Sequence, residues 1–89
     1  MDYPTIPLVN KRILVVEDNT QVRQLLARTL EIEGHTILQA HDGTVALNIL
    51  QKVTPDLILS DIDTPNLNGI EFYKALRRDR RWFTIPFIF

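Results

Sequence analysis

The stretch LILSDIDTPNLNG, Leu57 to Gly69, sets Asp61 and Asp63 directly after four residues of nearly unbroken apolar character. A carboxylate at the mouth of a buried strand meets water on one side and a low-dielectric sheet on the other, which suits chemistry or a metal ion better than mere solubility. A second acidic pair, Glu17 and Asp18, stands in the same relation to the β-branched run Ile13 to Val16. All four are hard oxygen donors. The chain has no cysteine, which excludes disulfides, thiolate metal sites and a cysteine nucleophile together. His35 follows a glycine that ends a helical pattern and His41 lies in a short connection, so both are expected to be ordinary surface residues.

The elements that must position these carboxylates follow from periodicity. Ile13 to Val16 forms a first strand, after which Asn19 or Thr20 can cap a helix whose Val22, Leu25, Leu26 and Leu30 share one face. Gly34 ends it, because glycine takes the left-handed cap without strain. Thr36 to Ala40 is a shorter, more polar strand, as expected at a sheet edge. Asp42 can cap the next helix, in which Ala46, Leu47, Leu50 and Val53 recur at helical spacing before Pro55 stops it. Leu57 to Ser60 is a third strand. A third helix starts at Asn68, with Phe72, Tyr73 and Leu76 inward and Arg77, Arg78, Arg80 and Arg81 in its last turns, where cations complement the helix dipole. Pro86 to Phe89 is a fourth strand, and residues 1–10, with Pro4 and Pro7, are an extended tail.

Strand and helix thus alternate through residues 11–89, which predicts a parallel sheet with helices on its faces. Strands one, three and four are apolar almost throughout and are expected to be covered on both sides. In such a sheet every strand delivers its C-terminal end to the same edge, so neighbouring first and third strands gather Glu17, Asp18 and Asp61. Close carboxylates repel by roughly 4 kcal/mol per pair at about 4 Å and an effective dielectric of about 20. A hard divalent cation compensates, and for an all-oxygen site that keeps several waters Mg²⁺ is the natural choice.

These residues resemble the receiver domain of bacterial two-component response regulators: an acidic pair after strand one, Asp61 closing strand three, and Pro65 and Gly69 four and eight positions beyond it. The resemblance runs from about Lys11 to Phe89. It implies a flavodoxin-like, doubly wound α/β fold with strand order 2-1-3-4. It also implies that Asp61 accepts a phosphoryl group from the phosphohistidine of a histidine kinase. By the same resemblance Asp18 and Asp61 are direct Mg²⁺ ligands, Glu17 acts through water or from behind, and Asp63 lends its backbone carbonyl. Two departures stand out. Thr64 occupies a position where the family usually has methionine, and the family's later Ser or Thr, fifth strand with its Lys and last helices have no counterpart before Phe89. The expectation is therefore a receiver lacking its final units, a phosphoacceptor rather than an enzyme that turns over.

Two other readings compete. The DIDT stretch also fits the DxDxT motif of haloacid-dehalogenase-type phosphatases, but that family needs later motifs for which the residues after Pro65 leave no room, and it gives Glu17 and Asp18 no role. A non-switching receiver acting as an interaction module is the stronger rival. The apolar edge IPFIF is of the kind that soluble proteins avoid, and it predicts a homodimer through strand four.

The rest of the composition narrows the partners. A net charge of −1 and a pI near 6.0 remove the general electrostatic case for nucleic acid. No apolar run approaches the roughly 18 residues of a membrane span. The N-terminus lacks the basic segment and apolar core of a signal peptide, so a cytoplasmic location is expected.

Overall fold

The computed structural model describes residues 10–89, so the expected tail falls outside the described residues except for Asn10. The element order is β1 (Arg12–Val16), α1 (Thr20–Ile32), β2 (Thr36–Ala40), α2 (Gly43–Leu50), β3 (Leu57–Ser60), α3 (Gly69–Arg77) and β4 (Phe87–Ile88). The four strands are parallel, in the order β2-β1-β3-β4. β1 is central: Val16 stands opposite Ala40 on one side and Ser60 on the other.

Each helix begins on the residue whose side chain can accept an otherwise unpaired N–H. Asn19 Oδ1 accepts from Val22 N at 3.0 Å, Asp42 Oδ1 from Val45 N at 2.9 Å and Asn68 Oδ1 from Glu71 N at 3.0 Å. α1 ends as its glycine demands. Gly34 has φ +98°, its N–H donates to Glu31 O at 2.9 Å, and His35 N donates to Leu30 O at 3.2 Å, the paired bonds of a left-handed helix ending.

The strand period of two divides the sheet. Leu14, Val16 and Ile58 pack with Ala46 and Leu50 of α2 and with Phe72 and Leu76 of α3 in the main core. Trp82 and Ile85, from the connection between α3 and β4, complete that core. Ile13, Val15 and Ala27 are buried outside this cluster, where α1 lies against β1 and β2.

Several expectations need correction. Val22, Leu25 and Leu26 are 44%, 67% and 38% exposed, so the apolar face of α1 is largely open and its buried contact is the small Ala27. A helix seated over β1 and β2 leaves its flank facing β3 and β4, whose outer side no other described helix covers. Accordingly Leu57 and Leu59 are only half-buried and Ile88 is exposed, whereas β1 is covered on both faces as expected. Tyr73 lies at the surface, edge-on to Phe87 with ring centres 5.2 Å apart. β4 is limited to Phe87–Ile88.

The arginines also depart from the expected last turns. α3 stops at Arg77, with Arg78 as its cap, so Arg80 and Arg81 belong to the following turns. Arg81 lies over the buried Trp82 ring at 4.0 Å, pairs with Asp79 at 2.9 Å and donates to Gln51 Oε1 at 3.0 Å. Its hydrogen bonds hold the Asp79 carboxyl below the usual range. His35 is half-buried rather than exposed, and its Nδ1 accepts from Lys11 N at 3.3 Å.

Candidate functional site

The ladder that joins β1 to its neighbours runs one residue past the strand ends. Glu17 N donates to Ala40 O at 3.0 Å, and Asp61 N donates to Val16 O at 2.9 Å. Glu17 and Asp61 are thereby fixed at adjacent strand ends. Both line a cleft of about 260 Å³ walled by Val15, Leu26, Leu59, Ile88 and Phe89. Asp61 is exposed at its mouth and Glu17 is half-buried.

The turn after β1 is tied by its own polar groups. Glu17 Oε2 accepts from Asn19 N at 2.9 Å, and the half-buried Arg23 donates through Nη1 to the Glu17 carbonyl at 2.9 Å. Asp18, between them in sequence, is exposed. Glu17 therefore spends an oxygen on the backbone, whereas Asp18 and Asp61 meet solvent.

The loop after β3 is held from two sides. At its end Gly69 N donates to Ile62 O at 2.9 Å. At its middle Leu67 O accepts from Gly43 N at 3.1 Å and from Thr64 Oγ1 at 3.0 Å. Thr64, the departure from the family's methionine, is thus buried and braces the loop with its hydroxyl. Asp63 is exposed, and its N–H faces Asp61 Oδ1 at 3.5 Å.

The structure brings Glu17 and Asp61 into one cleft and leaves Asp18 and Asp63 exposed in the adjoining turns. Among the described residues no group of three or more His, Asp or Glu side chains converges closely enough to hold a metal ion. One oxygen of Glu17 is taken by the Asn19 N–H. The donor set still fits a hard divalent cation, because Mg²⁺ is usually held by one or two carboxylates and keeps several waters. Asn66 escaped the sequence reading altogether. It sits at φ +64°, and its side chain donates to the buried Asp42, which the sequence marked only as a helix cap.

Comparison with known proteins agrees with this arrangement of strand ends. The family model of the response regulator receiver domain matches residues 13–89, and the chain belongs to that family. It is 42% identical over 77 residues to the alkaline phosphatase synthesis transcriptional regulatory protein PhoP of Bacillus subtilis, a match covering 86% of this chain and 32% of that protein. Among solved structures it superposes on the chemotaxis response regulator CheY4 of Vibrio cholerae with a TM-score of 0.84 and 34% identity, covering 89% of this chain and 66% of that one. It also superposes on the receiver domain of the sensor histidine kinase PA1611 of Pseudomonas aeruginosa, with a TM-score of 0.82 and 25% identity over 89% of this chain and 65% of that one. That structure has a magnesium ion coordinated in its active site cleft. The chain thus spans about a third of the length of the curated relative and just under two thirds of the two solved chains.

Proposed function

We propose that Asp61 is the phosphoacceptor of this receiver domain and that its donor is the phosphohistidine of a histidine kinase. The observation that carries the reading is the pairing of β1 with β3, which sets an exposed carboxylate, Asp61, beside a second acidic strand end at the C-terminal edge of a parallel sheet. In the transfer a carboxylate oxygen of Asp61 attacks phosphorus as the P–N bond to imidazole breaks, and the bonding pair stays on the imidazole nitrogen. Asp18 and Asp61 would hold Mg²⁺ directly, the Asp63 carbonyl would complete the protein's share, and Glu17 would act through water. The ion supplies charge neutralisation for the incoming phosphoryl oxygens. The chain's own contribution is orientation, with Asp61 fixed by its N–H to Val16 and Glu17 by its N–H to Ala40.

The test is the mass of the protein after incubation with acetyl phosphate and Mg²⁺. A gain of one phosphoryl group, absent from Asp61→Asn and from a sample with excess chelator, is the expected result. Steady turnover of p-nitrophenyl phosphate would point to a phosphatase instead.

A second copy of the chain is the proposed partner at the β4 edge. Ile88 and Phe89 are 52% and 54% exposed there, beside the half-buried Leu59, and apolar strand edges invite pairing. Sedimentation is expected to show a dimer at micromolar concentration, and a monomer would remove this part of the proposal. No helix among the described residues is long and apolar enough to cross a membrane, which accords with a cytoplasmic domain.

A further inference from the structure

Asp42 does more than cap α2. It is 2% exposed, and its two oxygens serve different elements: Oδ1 accepts from Val45 N at 2.9 Å, while Oδ2 accepts from Asn66 Nδ2 at 2.8 Å, 24 residues away in the loop that follows Asp61. Capping alone explains neither the burial nor the second bond. Asn19 and Asn68 cap their helices without being buried, each through one oxygen. The loop partner Asn66 holds φ +64°, a left-handed conformation that asparagine adopts more readily than most residues other than glycine. Gly43, next in sequence to Asp42, donates to Leu67 O at 3.1 Å, and a Cβ on Gly43 would stand 2.7 Å from that oxygen. The N-terminus of α2 and the middle of the loop are therefore in direct backbone contact, with the carboxylate of Asp42 as the polar fastening.

We infer that Asp42 is a positioning residue for phosphoryl transfer, acting through Asn66 to fix the loop that carries Asp63 relative to Asp61. This rests on the function proposed above, in which the Asp63 carbonyl and the Asp61 carboxylate share one Mg²⁺. Ligands two residues apart at the start of a loop keep a common geometry only if the loop has one conformation, so a tie further along that loop bears on metal affinity. Asp61 Oδ1 and Asp63 N stand 3.5 Å apart, too far for that contact to hold the loop unaided. The bond from Asn66 to Asp42 adds a side-chain tie to the Gly43–Leu67 and Thr64–Leu67 bonds that also hold the loop.

The experiment is calorimetric titration of Mg²⁺ into the 89-residue protein, with no phosphodonor present. Asn66→Gly keeps the left-handed backbone easy and leaves the α2 cap intact, but removes the fastening. Its Mg²⁺ affinity should fall about tenfold. Asp42→Asn should fall similarly, because either orientation of its amide sets an NH₂ against one of two donors. The exchanged pair Asp42→Asn with Asn66→Asp restores one donor and one acceptor, and should recover most of the affinity. Hydrogen exchange at the Gly43 amide, which donates to Leu67 O, should quicken in both single variants and slow again in the pair. Wild-type affinity in a folded Asn66→Gly, or no recovery in the exchanged pair, overturns the inference. A wild-type chain that takes up neither Mg²⁺ nor a phosphoryl group would instead sink the proposed function itself.

Discussion

Gly69 packs against the backbone of Asp61 so closely that a Cβ at position 69 would overlap the Asp61 carbonyl oxygen and come within 3.0 Å of Ile62 Cα. The first residue of α3 thereby fixes how far the chain after β3 can rise from the sheet. Both atoms met by the added carbon are backbone, so no side-chain rotation relieves the contact. Gly69→Ala should lower stability by about 1–3 kcal/mol, the usual range for overpacking. It should also slow phosphorylation by acetyl phosphate. Urea titration and intact mass measure the two effects, and a variant matching the wild type in both would show that the loop yields freely.

Phe72 is fully buried and reaches from α3 onto the sheet, with its ring centre 5.7 Å from that of Phe87. Truncating a buried phenylalanine costs about 3–5 kcal/mol, against a total of about 5–15 kcal/mol for an ordinary domain. An 89-residue chain with one sheet face half open among its described residues cannot spare much of that. Phe72→Ala is expected to be largely unfolded at 37 °C, whereas Leu25→Ala, at a position 67% exposed, should leave the urea midpoint within experimental scatter. Far-ultraviolet circular dichroism distinguishes the two.

What the sequence discloses depends on whether a rule is local. The cap at Asp42, the ending at Gly34 and the strand Leu57–Ser60 follow from short patterns, and the structure has each of them; of Asn19 and Thr20 it is Asn19 that caps α1, and Asn68, read as the start of α3, is its cap. The adjacency of Glu17 and Asp61 is legible because parallel strands have a common exit edge. The faces of α1 and α3 were less legible. Periodicity shows that a helix has an apolar side, not what stands opposite it, so Leu25 and Tyr73 fall on the apolar faces of their helices yet lie exposed. Trp82 and Ile85 carry no period at all, and their burial is decided by the path from α3 to β4. Asn66 offers only the weak hint that asparagine tolerates the left-handed region.

Asp42 also gives the fold a pH signature. Its carboxyl is held below the ordinary 3.8, first by the Val45 N–H and then by the Asn66 amide. A native value below the unfolded one means that the unfolded chain binds more protons between the two. The associated stability is fully present above about pH 4 and is lost as pH falls through the native value. The wild-type urea midpoint should therefore drop more steeply below about pH 4 than that of Asp42→Asn, which has no proton to gain. Parallel pH profiles for the two proteins would assign the acid sensitivity to other carboxylates.

Arg77 closes the connection between α3 and β4. Its Nη1 donates to Phe83 O at 3.0 Å and reaches Trp82 O at 3.5 Å, and its Nη2 donates to Ile85 O at 2.9 Å, while the guanidinium lies 4.8 Å from the Tyr73 ring. A planar fork can address several carbonyls at once, whereas an ammonium is a point donor on a flexible stem. Arg77→Ala should cost about 1–3 kcal/mol, the worth of hydrogen bonds to a charged group, and Arg77→Lys should recover less than half of it. Trp82, the chain's one tryptophan and 5% exposed, reports the local effect, since its emission should move to the red as the turn loosens. A lysine variant with wild-type stability and emission would mean that charge near these carbonyls suffices and that the fork geometry is incidental.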